Sequence, residues 1–311
     1  MSSVILQKEA GFFACAGNRQ NREIFSVQRE AAAVSKQKVS IPQLKEWKEQ
    51  GRKIRMVTAY DYPTALLVEQ SEIEVILVGD SLGMVVLGYD GTVPVTMDEM
   101  VHHIKPVVRA ARNTVVVGDM PFMSYNVSLE KAMENAGRLM KEGGADCVKL
   151  EGGLAMVPVV KALVDGGIPV MAHIGLTPQT ASQLGGFKVQ GKDEAAAQRM
   201  LTEALKLEEA GAFAIVLEAI PAPLAKLITQ KVSIPTIGIG AGVDCDGQVL
   251  VLHDMIGLFD RFVPKFVKKY ANVSEDILSA LNTYAQDVAS GSFPAVEHSF
   301  TMKDEVLKKL Y

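Results

Sequence analysis

From about residue 40 the apolar positions along the chain settle into two alternating rhythms. Short β-branched runs, most of them apolar throughout, recur at residues 54–58, 75–78, 114–117, 147–150, 169–172, 214–217 and 235–238. A run without polar alternation suits a parallel strand that is covered on both faces. Between the runs lie longer segments with helical spacing, such as residues 97–112, 128–142 and 193–210, and several stop at glycine: Gly143-Gly144, Gly166-Gly167 and Gly211. An amphipathic helix starting near Ser40, with Pro42 in its first turn, precedes the first strand. After about Val273 the pattern reads as helical and peripheral. The eighth strand has the weakest signal, and Arg261-Phe262-Val263 is the candidate for it. Repeated βα units over about 230 residues predict a (β/α)8 barrel of the TIM type. A doubly wound open sheet is the runner-up, disfavoured because no Gly-x-Gly-x-x-Gly turn follows the first strand.

Two parts are therefore expected: an N-terminal extension over residues 1–38, poorly ordered, and one barrel domain over residues 39–311 with C-terminal peripheral helices. The apolar pieces of the extension are interrupted by Lys8 and Glu9, so no signal-peptide core forms. Glu9, Glu23 and Glu30 stand among its basic residues, more acid than a transit peptide carries. A cytoplasmic location is expected, with organellar targeting the less favoured reading. The composition of the 311 residues, 48% hydrophobic and 22% charged, excludes a disordered chain. With 32 basic and 36 acidic residues the net charge is −4, which argues against a nucleic-acid partner held by bulk positive charge. Cys15, Cys147 and Cys245 include no Cys-x-x-Cys pair, so neither a disulfide scaffold nor a cysteine-rich zinc site is expected. No apolar run approaches the roughly 20 residues needed to span a membrane.

A barrel carries its reactive groups at the carboxyl ends of its strands. Those ends read Tyr60-Asp61, Gly79-Asp80-Ser81, Gly118-Asp119, Lys149-Leu150-Glu151, Ala172-His173 and Leu217-Glu218. One acid at such a place more often caps the next helix than does chemistry. Five acids, a lysine and a histidine on one rim are a different matter, because converging carboxylates repel unless a cation lies among them. A hard ion such as Mg2+ suits oxygen donors, and Asp80 and Asp119 hold equivalent Gly-Asp positions on neighbouring strands. Zinc would want more His or Cys than the rim offers. His102 and His103 read as a solvated helix face, His253 and His298 have no acidic partner at a readable spacing, and Trp47 and Cys147 read as packing residues. Gly238-Ile239-Gly240-Ala241-Gly242 reads either as a backbone phosphate site or as a tight turn. The long segment from Leu176 to Asp193 is expected to be a lid or binding loop.

Several motifs together resemble the ketopantoate hydroxymethyltransferase (3-methyl-2-oxobutanoate hydroxymethyltransferase) family. They are Thr58-Ala59-Tyr60-Asp61-Tyr62, Val78-Gly79-Asp80-Ser81-Leu82-Gly83-Met84, Asp119-Met120-Pro121-Phe122-Met123 and Val148-Lys149-Leu150-Glu151-Gly152-Gly153. Further along come His173-Ile174-Gly175-Leu176-Thr177-Pro178-Gln179, Gly186-Phe187-Lys188-Val189-Gln190-Gly191, the Gly238 to Gly242 turn with Asp246-Gly247-Gln248, and Glu297-His298-Ser299-Phe300. The resemblance implies a (β/α)8 barrel, Mg2+ dependence and hydroxymethyl transfer from 5,10-methylenetetrahydrofolate to 3-methyl-2-oxobutanoate, a step of pantothenate biosynthesis. It also implies a homodecamer. It gives Asp80, Asp119 and Glu151 to the metal, Asp80, Ser81, Asp119 and Lys149 to the ketoacid, and Glu218 the role of proton acceptor. His173 is a further catalytic candidate, able to orient a water or the electrophile. The alternatives are a Mg2+-dependent lyase or mutase of the phosphoenolpyruvate mutase and isocitrate lyase type, a phosphosugar-type barrel using the glycine turn, and a barrel scaffold without catalysis.

Overall fold

The protein is represented by a computed structural model that describes residues 37–183 and 185–310. All but the last two residues of the expected extension, and Cys15 with them, lie outside the described residues. The barrel begins with α1 (Ile41–Glu49), β1 (Ile54–Thr58), α2 (Tyr62–Glu69), β2 (Val75–Val78), α3 (Leu82–Val85), α4 (Met97–Ala110) and β3 (Val115–Asp119). It continues through α5 (Leu129–Lys141), β4 (Cys147–Glu151), α6 (Val157–Asp165), β5 (Val170–Gly175), α7 (Glu194–Glu209) and β6 (Ala214–Glu218). The ring ends with α8 (Ala222–Lys231), β7 (Thr236–Ile239), β8 (Gly247–Leu250) and α9 (Leu252–Met255), and α10 (Val273–Ser290) and α11 (Asp304–Leu307) follow. The eight strands pair in parallel in chain order and close, β8 against β1.

Strand residues alternate between two buried layers, which is why the runs lack polar alternation. Ile54, Met56, Val75, Leu77, Val115, Val117, Cys147, Met171, Ala214, Val216, Ile237 and Val249 fill the barrel interior. Their neighbours Val57, Ile76, Val116, Val148, Ala172 and Ile215 face outward and pack under the helices. At the amino-terminal end of the strands, Leu44 and Trp47 of α1 join the interior layer and close the floor. The ammonium of Lys48 fixes that helix there, donating to the carbonyls of Thr229 and Ile234 and to Asp246 at 2.8, 3.0 and 2.9 Å.

Polar residues at the helix starts act as expected of caps. Asp61 Oδ1 accepts from the Thr64 amide at 2.8 Å, and Asp193 does the same for α7, so Asp61 is a cap rather than a member of the rim cluster.

The eighth strand is not residues 261–263. Gly247–Leu250 closes the ring, pairing Gly247 with both Ile54 and Ile237. Its signal is faint because it opens on glycine and carries the polar, exposed Gln248. The glycine is required: a Cβ there would lie 2.6 Å from both the Ile54 carbonyl oxygen and the Ile237 side chain. Residues 261–263 instead have no regular structure, and Phe262 lines the cavity at the barrel mouth.

Candidate functional site

The inward parity of the strands, carried to their carboxyl ends, builds the site. Two residues beyond Val117 comes Asp119; beyond Cys147 come Lys149 and then Glu151; beyond Met171 comes His173; beyond Val216 comes Glu218. Strand pairing sets Asp119 beside Lys149 and Glu151 beside His173. Asp80 enters differently, one residue off the parity of β2, from the turn that leads into α3. These six residues and Ser81 line one cavity of about 310 Å³. The structure thus brings together every residue expected to have a metal, substrate or catalytic role, and of the five rim acids only Asp61 stays out.

Lys149 and Asp119 form a buried, two-pronged ion pair, with Nζ 2.8 Å from Oδ1 and 2.9 Å from Oδ2. The other Lys149 neighbour is Glu151, whose Oε1 lies 3.8 Å away. The Asp80 amide donates to Asp119 Oδ2 at 3.2 Å, which ties the first two acids together. Burial pushes the Asp80 carboxyl well above its ordinary value, and the charges of Asp119 and Glu151 push it further. Burial also raises Asp119, with Lys149 opposing. For Glu151 burial is outweighed by His173 and Lys149, leaving its carboxyl below the ordinary value.

His173 sits between two acids, Nδ1 3.5 Å from Glu151 Oε1 and Nε2 3.2 Å from Glu218 Oε2. Neither contact has hydrogen-bond angles, so both are ion-pair contacts. Burial and Lys149 pull its pKa down, but the two carboxylates win and raise it to about 9. At neutral pH the ring is therefore an imidazolium. Glu218 is the least buried of the group, its side chain 14% exposed to the cavity.

Three further residues organise the site, and two of them, Gln179 and Tyr125, carry no strand-end signal in the sequence. The Gln179 side chain donates from Nε2 to Asp80 Oδ2 at 2.8 Å and to the Met120 carbonyl at 2.9 Å, and its Oε1 accepts from the Tyr125 hydroxyl at 2.6 Å. The Gln179 amide donates to Glu151 Oε2 at 3.1 Å. One glutamine thus orients two acids from different strands. Tyr60, buried beside the cavity, holds the Ser81 hydroxyl at 2.8 Å. Gln179 and Tyr125 lie in loops after β5 and β3, where no periodicity marks them.

The long segment after β5 contributes Phe187, Lys188 and Val189 to the cavity wall, and the Phe187 ring meets that of Phe262 at 6.5 Å between centroids. The segment thus forms part of the cavity wall. The Gly240 and Gly242 backbones adopt φ of +65° and +85°, and a Cβ at either would strike Phe266 or Ala222. Tight turning and close packing explain those glycines without a phosphate. Cys147 is buried inside β4 with its thiol raised by burial, the inert condition expected of it. His103 differs from expectation: its Nδ1 is 2.7 Å from the Tyr60 carbonyl oxygen, so it braces β1 rather than facing solvent.

Comparison with known proteins agrees with this geometry. The chain is 67% identical over 274 residues to a 3-methyl-2-oxobutanoate hydroxymethyltransferase of Heliobacterium modesticaldum, covering 88% of this chain and 99% of that one. It is 62% identical to the enzyme of the same name from Moorella thermoacetica, covering 85% and 98%. Among solved structures it resembles phosphonopyruvate hydrolase (TM-score 0.56, 12% identity, 86% and 93% covered) and 2,3-dimethylmalate lyase (TM-score 0.54, 12% identity, 87% and 90% covered). At that identity the likeness is one of fold alone. The family model described as ketopantoate hydroxymethyltransferase matches residues 38–296, and with rim, cavity and relatives in agreement the chain belongs to that family.

Proposed function

We propose that the rim turns 3-methyl-2-oxobutanoate into a carbon nucleophile and joins it to the one-carbon unit of 5,10-methylenetetrahydrofolate. The products are 2-dehydropantoate and tetrahydrofolate, and one water supplies the oxygen of the new hydroxymethyl group. The observation that carries this reading is the division of labour in the cavity. Asp80, Asp119, Lys149 and Glu151 form one interlocked group, while Glu218 stands apart on β6, its carboxylate making an ion-pair contact with His173 alone among the described residues.

The donor set fits a divalent cation. Four carboxylates share the site with one ammonium and one imidazole, and the Asp80 carboxyl is raised first by burial and then by the neighbouring charges of Asp119 and Glu151, which a cation would offset. Among the described residues no three His, Cys, Asp or Glu side chains are gathered to close on one ion by themselves. An open all-oxygen set suits Mg2+, which keeps most of its positions for water and substrate oxygens. Asp80 and Asp119 would hold it directly, with Glu151 adding charge behind them. When bound, it would act as a Lewis acid on the ketone and make the C3 proton removable.

The remaining work belongs to the protein. Lys149 and Ser81 hold the ketoacid carboxylate, and the fixed charge of Lys149 favours the developing enolate. Glu218 takes the proton from C3, and His173 fixes the position of that carboxylate. His173 also faces the cavity where the water or one-carbon unit arrives. Loss of the C3 proton and formation of the C3–C bond leave the ketoacid carboxylate where it was bound.

The lyase or mutase alternative shares the fold, but enzymes of that type typically place a catalytic cysteine on the mobile loop, and the segment from Leu176 to Asp193 contains none. A scaffold would have no need of buried, charge-coupled acids. The deciding assay measures tetrahydrofolate released from methylenetetrahydrofolate, with and without 3-methyl-2-oxobutanoate and then after chelation. Release that ignores the ketoacid sinks the reading, and release that survives thorough chelation sinks the role of the cation.

The exposed apolar side chains of α10 support self-association. None of its residues is buried, and Ile277, Leu278, Leu281, Tyr284 and Val288 present apolar surface that a second copy would cover. A homodecamer is the assembly we expect, and a monomer in sedimentation would refute it. No helix among the described residues is long and apolar enough to cross a membrane. Two buried free cysteines accord with a cytoplasmic enzyme.

A further inference from the structure

The strand order gives the cavity two ends. Its charged end is built on β2, β3 and β4. Across the ring, past Glu218 on β6, the wall is made by Ile239, Val249 and Val251 with Phe259, Phe262 and Phe266. Within that apolar end stands Asp254, in α9 just after β8. It lines the cavity, is 7% exposed, and its carboxylate accepts no hydrogen bond among the described residues. Nothing in the ketoacid chemistry uses it. A carboxylate buried without a partner is costly, so a ligand that brings donors to it gains more than one that does not.

We infer that Asp254 binds the pterin ring of the folate co-substrate by accepting from its N3–H and 2-amino group, which present two parallel donors to the two carboxylate oxygens. This rests on the methylenetetrahydrofolate reading above. The surroundings match the rest of the molecule. The aromatic and aliphatic side chains of this end suit a flat heteroaromatic ring. Lys188 and Lys265, both exposed at the cavity wall, meet the anionic glutamate tail that must point outward. Burial raises the Asp254 carboxyl to about 6, with the charge of Lys269 opposing. A bidentate pair of donors reverses that burial penalty. The placement leaves Glu218 between the two substrates, where the carbon it deprotonates faces the one-carbon unit.

The test compares two ligands, tetrahydrofolate and its 2-desamino counterpart, on the full-length enzyme by anaerobic titration calorimetry. Wild type is expected to bind the desamino compound at least tenfold more weakly. Asp254→Asn is expected to weaken tetrahydrofolate at least tenfold and to discriminate between the two ligands less than threefold. In turnover its KM for methylenetetrahydrofolate should rise while that for the ketoacid holds. Equal loss of both ligands in the variant would mean that Asp254 merely shapes the pocket, and the inference falls. Equal binding of both by wild type overturns it without any variant, so a misfolded Asp254→Asn protein leaves the question decidable. Wild type that binds no tetrahydrofolate, yet exchanges the C3 proton of the ketoacid, refutes the folate reading itself and this inference with it.

Discussion

Replacing Gln179 by leucine keeps the side-chain volume and removes every polar contact that side chain makes. Asp80 Oδ2 loses a donor at 2.8 Å, the buried Met120 carbonyl loses one at 2.9 Å, and the Tyr125 hydroxyl loses its acceptor at 2.6 Å. Tyr125 is compensated, since it still donates to the Glu151 carbonyl at 3.1 Å. The uncompensated losses are one orphaned carbonyl, at about 1–3 kcal/mol, and one charge-assisted bond, at about 1.5–3 kcal/mol. Their sum is about 3–6 kcal/mol. At about 2–4 °C per kcal/mol for a domain of this size, Tm should fall by roughly 6–24 °C. The same change frees Asp80 to rotate, so kcat should drop at least tenfold even well below Tm. Scanning calorimetry gives the first number and the tetrahydrofolate-release assay the second. A variant within 2 °C of wild type that turns over normally would show that Gln179 neither braces the fold nor aims Asp80, and the reasoning would be wrong.

Glu218→Gln should slow deuterium exchange at C3 of the ketoacid by about 10²–10⁴-fold, the usual worth of a general base; exchange at the wild-type rate assigns the proton to another group. His173 carries a pH signature. Its folded pKa is raised, from 6.5 to about 9, so its contribution to stability is fully present below pH 6.5 and lost as the pH climbs through 9. The difference in Tm between wild type and His173→Asn should therefore shrink across that window, from a contribution of about 3 kcal/mol. A constant difference from pH 6 to 10 would mean that the buried ring is neutral.

Much of this site was legible because strands are periodic. A β-branched run marks a strand, its parity marks which residues face inward, and the first polar residues at inward positions are Asp119, Lys149, Glu151, His173 and Glu218. Short-range pattern therefore carries the rim. Where pattern is absent the reading fails. Gly247–Leu250 was passed over because closing the ring demanded a glycine for clearance, and a phenylalanine-bearing coil at residues 261–263 looked more like a strand. Gln179, Tyr125 and Asp254 act from loops or just beyond a strand, where their importance depends on what the folded chain brings near them. Asp61 and Asp80 follow glycine-free and glycine-bearing strand ends alike, yet only the structure tells the helix cap from the site residue.

The sealed floor formed by Leu44 and Trp47 has a kinetic corollary. A vessel stoppered at one end admits and discharges everything through the other, so its occupants must queue. Steady-state kinetics should accordingly be ordered, the smaller reactant boarding before the larger one and the spent carrier leaving before the new hydroxy acid, and a random order would refute the single doorway.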